Sequence, residues 1–512
     1  AAVAAAGVGV ALNARARRAG PSTAPVGEAG LGLPTTSPVA AAQLRLGQAR
    51  LWVWDLDGAA AAYRSAIAAD SDLALAYDRL SVVETWRWDY PAARRTVEAG
   101  LARRDRLSPR WRQLLDAQRQ YVMRNADSAI AGFQALVADY PRLTDAWYGL
   151  GEALFHFSGP AGQNPLDAGP AFERLVGLDS TFAPIYYHLV DVAAYRGDSA
   201  RARTFLARMR ADDPTRPAAE ATIGLTFGDS ATRGRALLAL RKADRSTLSF
   251  LVAHFGRGAL DLSLVDTLAG YLMQPDRTPD DRLRGAQYRM VALIGEGRWP
   301  EAVKAWEAAG SAERFDRWVV LADLAGYPAK EVVNPMYAWA RELLANGQIP
   351  DFTAAPWEPP RQAFRGLVHR AALRGDSADV LALLRHLDRA AGRADPSDPE
   401  PAALRATLQS RLALLAADTT GALRLLELSA SRSAEPLGTF FPLMTMEPER
   451  LLLATLSARR GDRRRASHWL DSFANTWSFG DVLYVQRVTC LRGRLDAEPG
   501  SPSTPAVRAC AS

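Results

Sequence analysis

Of the six histidines in this 512-residue chain, His156 and His188 are the best placed to do chemistry. Phe155 and Phe157 flank the first, and Tyr186 and Tyr187 precede the second. Imidazoles in such settings could ligate a metal ion or work as an acid–base pair. No H-E-x-x-H occurs, and no third ligand is expected at a helical spacing from either residue. The plainer expectation is a pair of histidines packed into, or lining, a groove. Arg-Gly-Asp occurs at Arg196 to Asp198, Arg374 to Asp376 and Arg460 to Asp462. Each copy follows a run of helical period, so a glycine that closes one helix and an aspartate that caps the next explain it better than an adhesion motif. Phosphate-cradling, dinucleotide-binding and serine-nucleophile motifs are absent. Cys490 and Cys510 lie near the C-terminus without C-x-x-C or zinc spacing, so they form either a bond or two thiols. The expectation is a chain with no catalytic residues, no metal and no cofactor.

The elements that would position these residues are helices. Trp147, Leu150 and Leu154 fall three or four residues apart and make one apolar stripe. Ala168 then lets an antiparallel helix come close, and Phe172 and Leu175 continue along its inner face. The small residue recurs as Ala59, Ala93, Ala129, Ala168 and Ala202, followed four residues later by Tyr63, Val97, Phe133, Phe172 and Leu206. Four residues before each alanine stands Asp55, Asp89, Asn125, Asn164 or Asp198, a series of predicted N-caps. The fourth unit has a longer loop at His156 to Asn164, which makes Asp167 a rival cap and places Pro170 in the first turn.

The spacing W-x2-L-G with the later A-x3-F resembles the tetratricopeptide repeat, whose period is about 34 residues. The resemblance covers residues 40 to 216 closely and 280 to 493 in diverged form. It implies an all-α fold, an α-solenoid of antiparallel helix pairs wound as a superhelix. It also implies an inner groove for a protein or peptide, lined by Leu44, Gln48, Leu51, Asp78, Val82, Gln118, Tyr121, Tyr148, Glu152, Phe155, Tyr187 and Asp191. Aromatic anchors with a few acceptors would suit a segment carrying apolar and basic side chains. The Lys/Asn/Arg set with which chaperone-binding members grip a carboxylate is missing.

The remaining organisation reads in order along the chain. Residues 1–12 are an apolar run, 13–39 a Pro/Gly/Ser/Thr linker, 40–216 about five repeats, 217–275 an irregular helical connector, 276–495 diverged repeats, and 496–512 a disordered tail. Twelve residues fall short of the roughly 20 that span a bilayer. The run therefore reads as a cut transmembrane helix, a signal remnant or an alanine-rich helix start. Membrane anchorage is expected, on either the periplasmic or the cytoplasmic side. A net charge of +6 is spread over helices that interleave arginine with Asp and Glu, so no specific nucleic-acid partner is expected. The layout also resembles the C-terminal part of bacterial membrane-anchored serine/threonine kinases, with no kinase motif in these residues. The expected function is a non-enzymatic interaction scaffold. The alternatives are the sensory arm of such a kinase or an arm of a transcriptional regulator.

Overall fold

A computed structural model describes residues 35–496 apart from 88, 158–162, 258–259, 309–314, 329, 353–357, 395–397, 433–442, 444 and 474–477. The chain is an α-solenoid of antiparallel helix pairs, with no strand among the described residues. It divides into two compact units, one of residues 1–155 and 166–251, the other of 156–165 and 252–512.

The first unit begins with α1 (Pro38–Trp52), α2 (Leu56–Ala69), α3 (Ala74–Trp86), α4 (Tyr90–Leu101), α5 (Pro109–Val122) and α6 (Ala126–Asp139). It continues through α7 (Thr144–Phe157), α8 (Ala168–Leu178), α9 (Tyr186–Tyr195), α10 (Ser199–Arg208), α11 (Arg216–Phe227), α12 (Ser230–Leu240) and α13 (Arg245–Gly256). The division passes within α7 and α13, each of which is one unbroken helix.

Pairing follows the small-residue series. Helix α1 packs on α2, α3 on α4, α5 on α6 and α9 on α10, and the first helices of successive pairs also meet, α3 on α5 and α9 on α11. Ala59, Ala93, Ala129, Ala168 and Ala202 are all wholly buried, as are Tyr63, Val97 and Phe172. The reciprocal half of the contact lies on the first helices. A Cβ on Gly47 would stand 2.4 Å from the Tyr63 ring, and one on Gly151 would stand 2.1 Å from the Phe172 ring. Each ring therefore occupies space that only glycine leaves free, and this sets how closely the two helices approach. In the fifth pair Leu206 is half-buried and Phe205 takes the inner place.

Side-chain caps occur at three of the five expected positions: Asp55 accepts from Gly58 N, Asp89 from Ala92 N and Asp198 from Arg201 N. Asn125 instead donates its amide to Gln120. Helix α8 starts at Ala168 after a short 3-10 turn, with Asp167 at the cap position and Pro170 within the first turn, where no intrahelical donor is lost.

The second unit contains α14 (Leu262–Leu272), α15 (Pro279–Gly295), α16 (Trp299–Ala308), α17 (Arg317–Leu324), α18 (Lys330–Ala345) and α19 (Pro359–Arg374). After these come α20 (Ser377–Ala391), α21 (Glu400–Leu415), α22 (Thr419–Arg432), α23 (Glu447–Arg459), α24 (Arg463–Asp471) and α25 (Val485–Asp496). Adjacent helices again pack in pairs, α14 on α15, α21 on α22 and α23 on α24, while α19 meets both α17 and α21.

The expectation of membrane anchorage is corrected by the structure. No helix among the described residues is long and apolar enough to cross a bilayer, the longest, Pro279–Gly295, having 17 residues with charges at several of them. The run Ala1 to Leu12, the linker up to residue 34 and the tail beyond 496 lie outside the described residues.

Candidate binding face of the first unit

Helices α1, α3, α5, α7 and α9 carry the twelve residues expected to line a groove. All twelve are buried, at 1–8% exposure. The chain itself supplies much of the cover. Trp52 on α1 packs on Phe182, with ring centroids 4.5 Å apart, and Phe182 stacks on Tyr148 of α7 at 5.2 Å. Trp86 on α3 meets Tyr148 edge-on at 6.3 Å and stacks on Trp54 at 5.0 Å. These five rings form one cluster inside the first unit, fed by segments up to 130 residues apart.

Polar groups stand beside the rings, one on each first helix: Gln48, Asp78, Gln118, Glu152 and Asp191. Gln118 donates from Nε2 to Ser81 Oγ at 2.9 Å and so ties α5 to α3. Arg79 donates from Nε to Asp145 Oδ1 at 3.0 Å, a buried pair that ties α3 to α7. Burial, reinforced by the Asp145 carboxylate and opposed by Arg79, holds Asp78 well above the usual carboxylate range. Burial likewise pushes the Tyr63 hydroxyl up. Both amide atoms of Gln48, on a residue only 1% exposed, meet no hydrogen-bonding group among the described residues.

Glu152 precedes His156 by four residues on α7, a helical spacing. Within the first unit His188 projects from α9, and its Nε2 lies 3.9 Å from Glu152 Oε1. Phe155 and Phe172 hold the His188 ring at centroid distances of 4.3 and 5.5 Å. The expectation of no ligand at a helical spacing is therefore corrected: Glu152 was assigned only to the groove, although i, i+4 places it over His156.

The three Arg-Gly-Asp copies do serve as helix ends. Asp198, Asp376 and Asp462 each cap the following helix. Gly197 and Gly461 are left-handed, at φ +70° and +77°, while Gly375 is extended. Cys490 is disulfide-bonded, and Cys510 lies outside the described residues.

In the second unit the structure buries a set of charges that no sequence motif announced. Arg361 donates to Glu400 at 2.7 Å and to Asp398 at 2.5 Å, and Arg365 donates to the other Glu400 oxygen. His369 presents Nδ1 to Glu449 at 2.6 Å and Nε2 to the Leu443 carbonyl at 3.2 Å. Arg450, wholly buried, donates to Asp481 and to the carbonyls of Thr445 and Ser472. A signal did exist: Arg361, Arg365 and His369 stand at i, i+4 and i+8 on α19, a basic stripe along one face of the helix.

No family model and no curated protein matches the chain. Among solved structures it is similar to the human IFIT1 dimer with m7Gppp-AAAA, at 12% identity, 84% coverage of this chain, 95% of that one and a TM-score of 0.33. It is also similar to the pentatricopeptide repeat protein PPR10 from maize (12% identity, 88% and 65% coverage, TM-score 0.29). A third neighbour is the P58(IPK) TPR domain (15% identity, 81% and 99% coverage, TM-score 0.18).

Proposed function

We propose that the chain is a helical-repeat binding scaffold whose first unit takes up an extended polypeptide segment along the inner helices. The supporting observation is the Gln48 carboxamide, buried with neither Nε2 nor Oε1 bonded to the protein. Leaving such a group unmade costs about 1–3 kcal/mol. A peptide main chain offers both the carbonyl and the N–H that a carboxamide can pair with. The polar residues on α3, α5, α7 and α9 extend the same acceptor-rich face, and Asp191 favours basic side chains in the segment.

The reading is tested by panning a random peptide library against the folded chain and measuring the selected peptides by calorimetry. Gln48→Leu should raise the melting temperature while weakening peptide binding, because it removes an unmet polar group and its only proposed partner together. Peptides that bind the variant as well as the parent, or a library that yields none enriched in Lys or Arg, would overturn it.

A further inference from the structure

We infer that two copies of this chain pair through the outer face of α1, helix against helix and antiparallel. Three large apolar side chains are exposed among the described residues of the first unit, Val39, Leu46 and Leu238, and two of them share one face of α1. Leu46 stands just before the close-contact glycine Gly47, and Val39 stands seven residues before Leu46. The later pairs hold Leu80, Leu114, Leu150 and Leu189 at the place of Leu46, at 0–6% exposure against its 40%. At the place of Val39 they hold Leu73, Leu107, Leu143 and Phe182, again at 0–6% against 61%. Ala42, between the two, is exposed where Ala76, Ala146 and Ile185 are at 0–1%, Arg110 being the one departure. Helix α1 thus carries the apolar stripe of an interior helix, although no described helix precedes it. A repeat that ends an array presents a polar outer face instead, so the stripe is built to be covered.

What covers it does not arrive through a repeat turn. In three of the four later pairs a ring on the first helix locks the incoming turn. Tyr77 Oη donates to the Ser71 carbonyl at 3.1 Å, Trp147 Nε1 to that of Pro141 at 3.0 Å and Tyr186 Oη to that of Ser180 at 2.7 Å. Each acceptor lies two residues past the end of the preceding helix. The same place on α1 is Gln43, which has no ring to make this lock. A second copy meets the remaining requirements. The stripe reads large, small, large, so a two-fold axis near Ala42 sets each Val39 beside Leu46 of the partner subunit. The small side chain then falls at the crossing, where two helices approach closest. Such a contact covers both exposed stripes at once and closes the assembly at two. The charges agree with an antiparallel arrangement. Arg50 is answered by Asp55 at 2.6 Å, and the two Arg45 side chains are set about 7 Å apart along the axis instead of side by side.

The test is sedimentation velocity of the full chain from about 1 to 100 µM, the range in which a small interface assembles. A reversible monomer–dimer equilibrium is expected. Val39→Glu together with Leu46→Glu should weaken it about tenfold or more, because four carboxylates would be drawn out of water at the contact. Both side chains are exposed, so the variant should keep the circular dichroism spectrum of the parent. Under mild oxidation Ala42→Cys should give a disulfide-linked dimer faster than Thr204→Cys, an exposed position on α10, because only the first lies at the two-fold axis. A parent chain that stays monomeric throughout that range would overturn the inference. So would a ladder of larger oligomers, a dimer that persists in the double variant, or Ala42→Cys linking no faster than Thr204→Cys.

Discussion

In the first unit, Tyr63 and Phe172 fill space that Gly47 and Gly151 leave open on the facing helices. In the second, the corresponding office between α19 and α21 falls to Glu400, gripped from both sides by Arg361 and Arg365. The first arrangement is shape complementarity between uncharged groups. It depends on volume and fixes the approach of helices through hard contact. The second is charge complementarity at under 8% side-chain exposure, where each ion has lost its water and depends on its partners. Shape tolerates pH but not added atoms. Charge tolerates small shifts in packing but not the loss of one member.

This contrast can be broken at Glu400. Glu400→Gln removes the carboxylate that Arg361 and Arg365 share, while Asp398 stays beside Arg361, and should cost about 3–5 kcal/mol, read from urea denaturation. Replacing all four together, as Arg361→Met, Arg365→Met, Asp398→Asn and Glu400→Leu, should cost far less, because the buried ions are removed as a set. If the single change is as mild as the combined one, the second unit is not held by charge. Gly151→Ala tests the other side. Its methyl group would collide with the Phe172 ring, and overpacking of this kind should cost about 1–3 kcal/mol in the same measurement.

A smaller effect sharpens the comparison through pH. Burial by itself lowers the His369 pKa, but the Glu449 carboxylate and its hydrogen bond outweigh burial and raise it. Both ring nitrogens face acceptors, an arrangement that only the doubly protonated ring satisfies. The folded value then lies above the unfolded value of about 6.5. The stabilisation is complete below that pH and is lost as pH rises through the folded value. His369→Gln should flatten the alkaline limb of a stability–pH curve. Gly151→Ala should leave that limb unchanged. The smallest expected effect is at a cap, where Asp198→Ala should cost about 1 kcal/mol in thermal unfolding.

How far the sequence could be read differs between the units for a physical reason. Ala59, Ala93, Ala129, Ala168 and Ala202 declare themselves because each repeat solves the same local problem at the same offset. Their large apolar partners four residues on follow, until the fifth pair substitutes Phe205 for Leu206. Asn125 was misjudged as a cap because an amide can donate as well as accept, and Gln120 was within its reach. Gly375 ends its helix as the motif predicts, but in an extended conformation where Gly197 and Gly461 are left-handed. In the second unit, partners such as His369 and Glu449 stand 80 residues apart. Helical period shows that Arg361, Arg365 and His369 share a face, but nothing local says which carboxylates answer them. The neighbourhood of Glu152 was half legible, since its i, i+4 relation to His156 is in the sequence and only the fold brings His188 beside it.

The contact of Trp52 with Phe182 has a mechanical corollary. An ordinary repeat array can be peeled from its end one pair at a time, since each pair grips only the next. Here the opening helix also holds a ring from far down the array, so tension applied at residue 38 cannot strip α1 and α2 without prising open the interior that Tyr148 shares. The N-terminal pairs should resist force as a closed loop resists it, yielding in one event rather than in successive small steps.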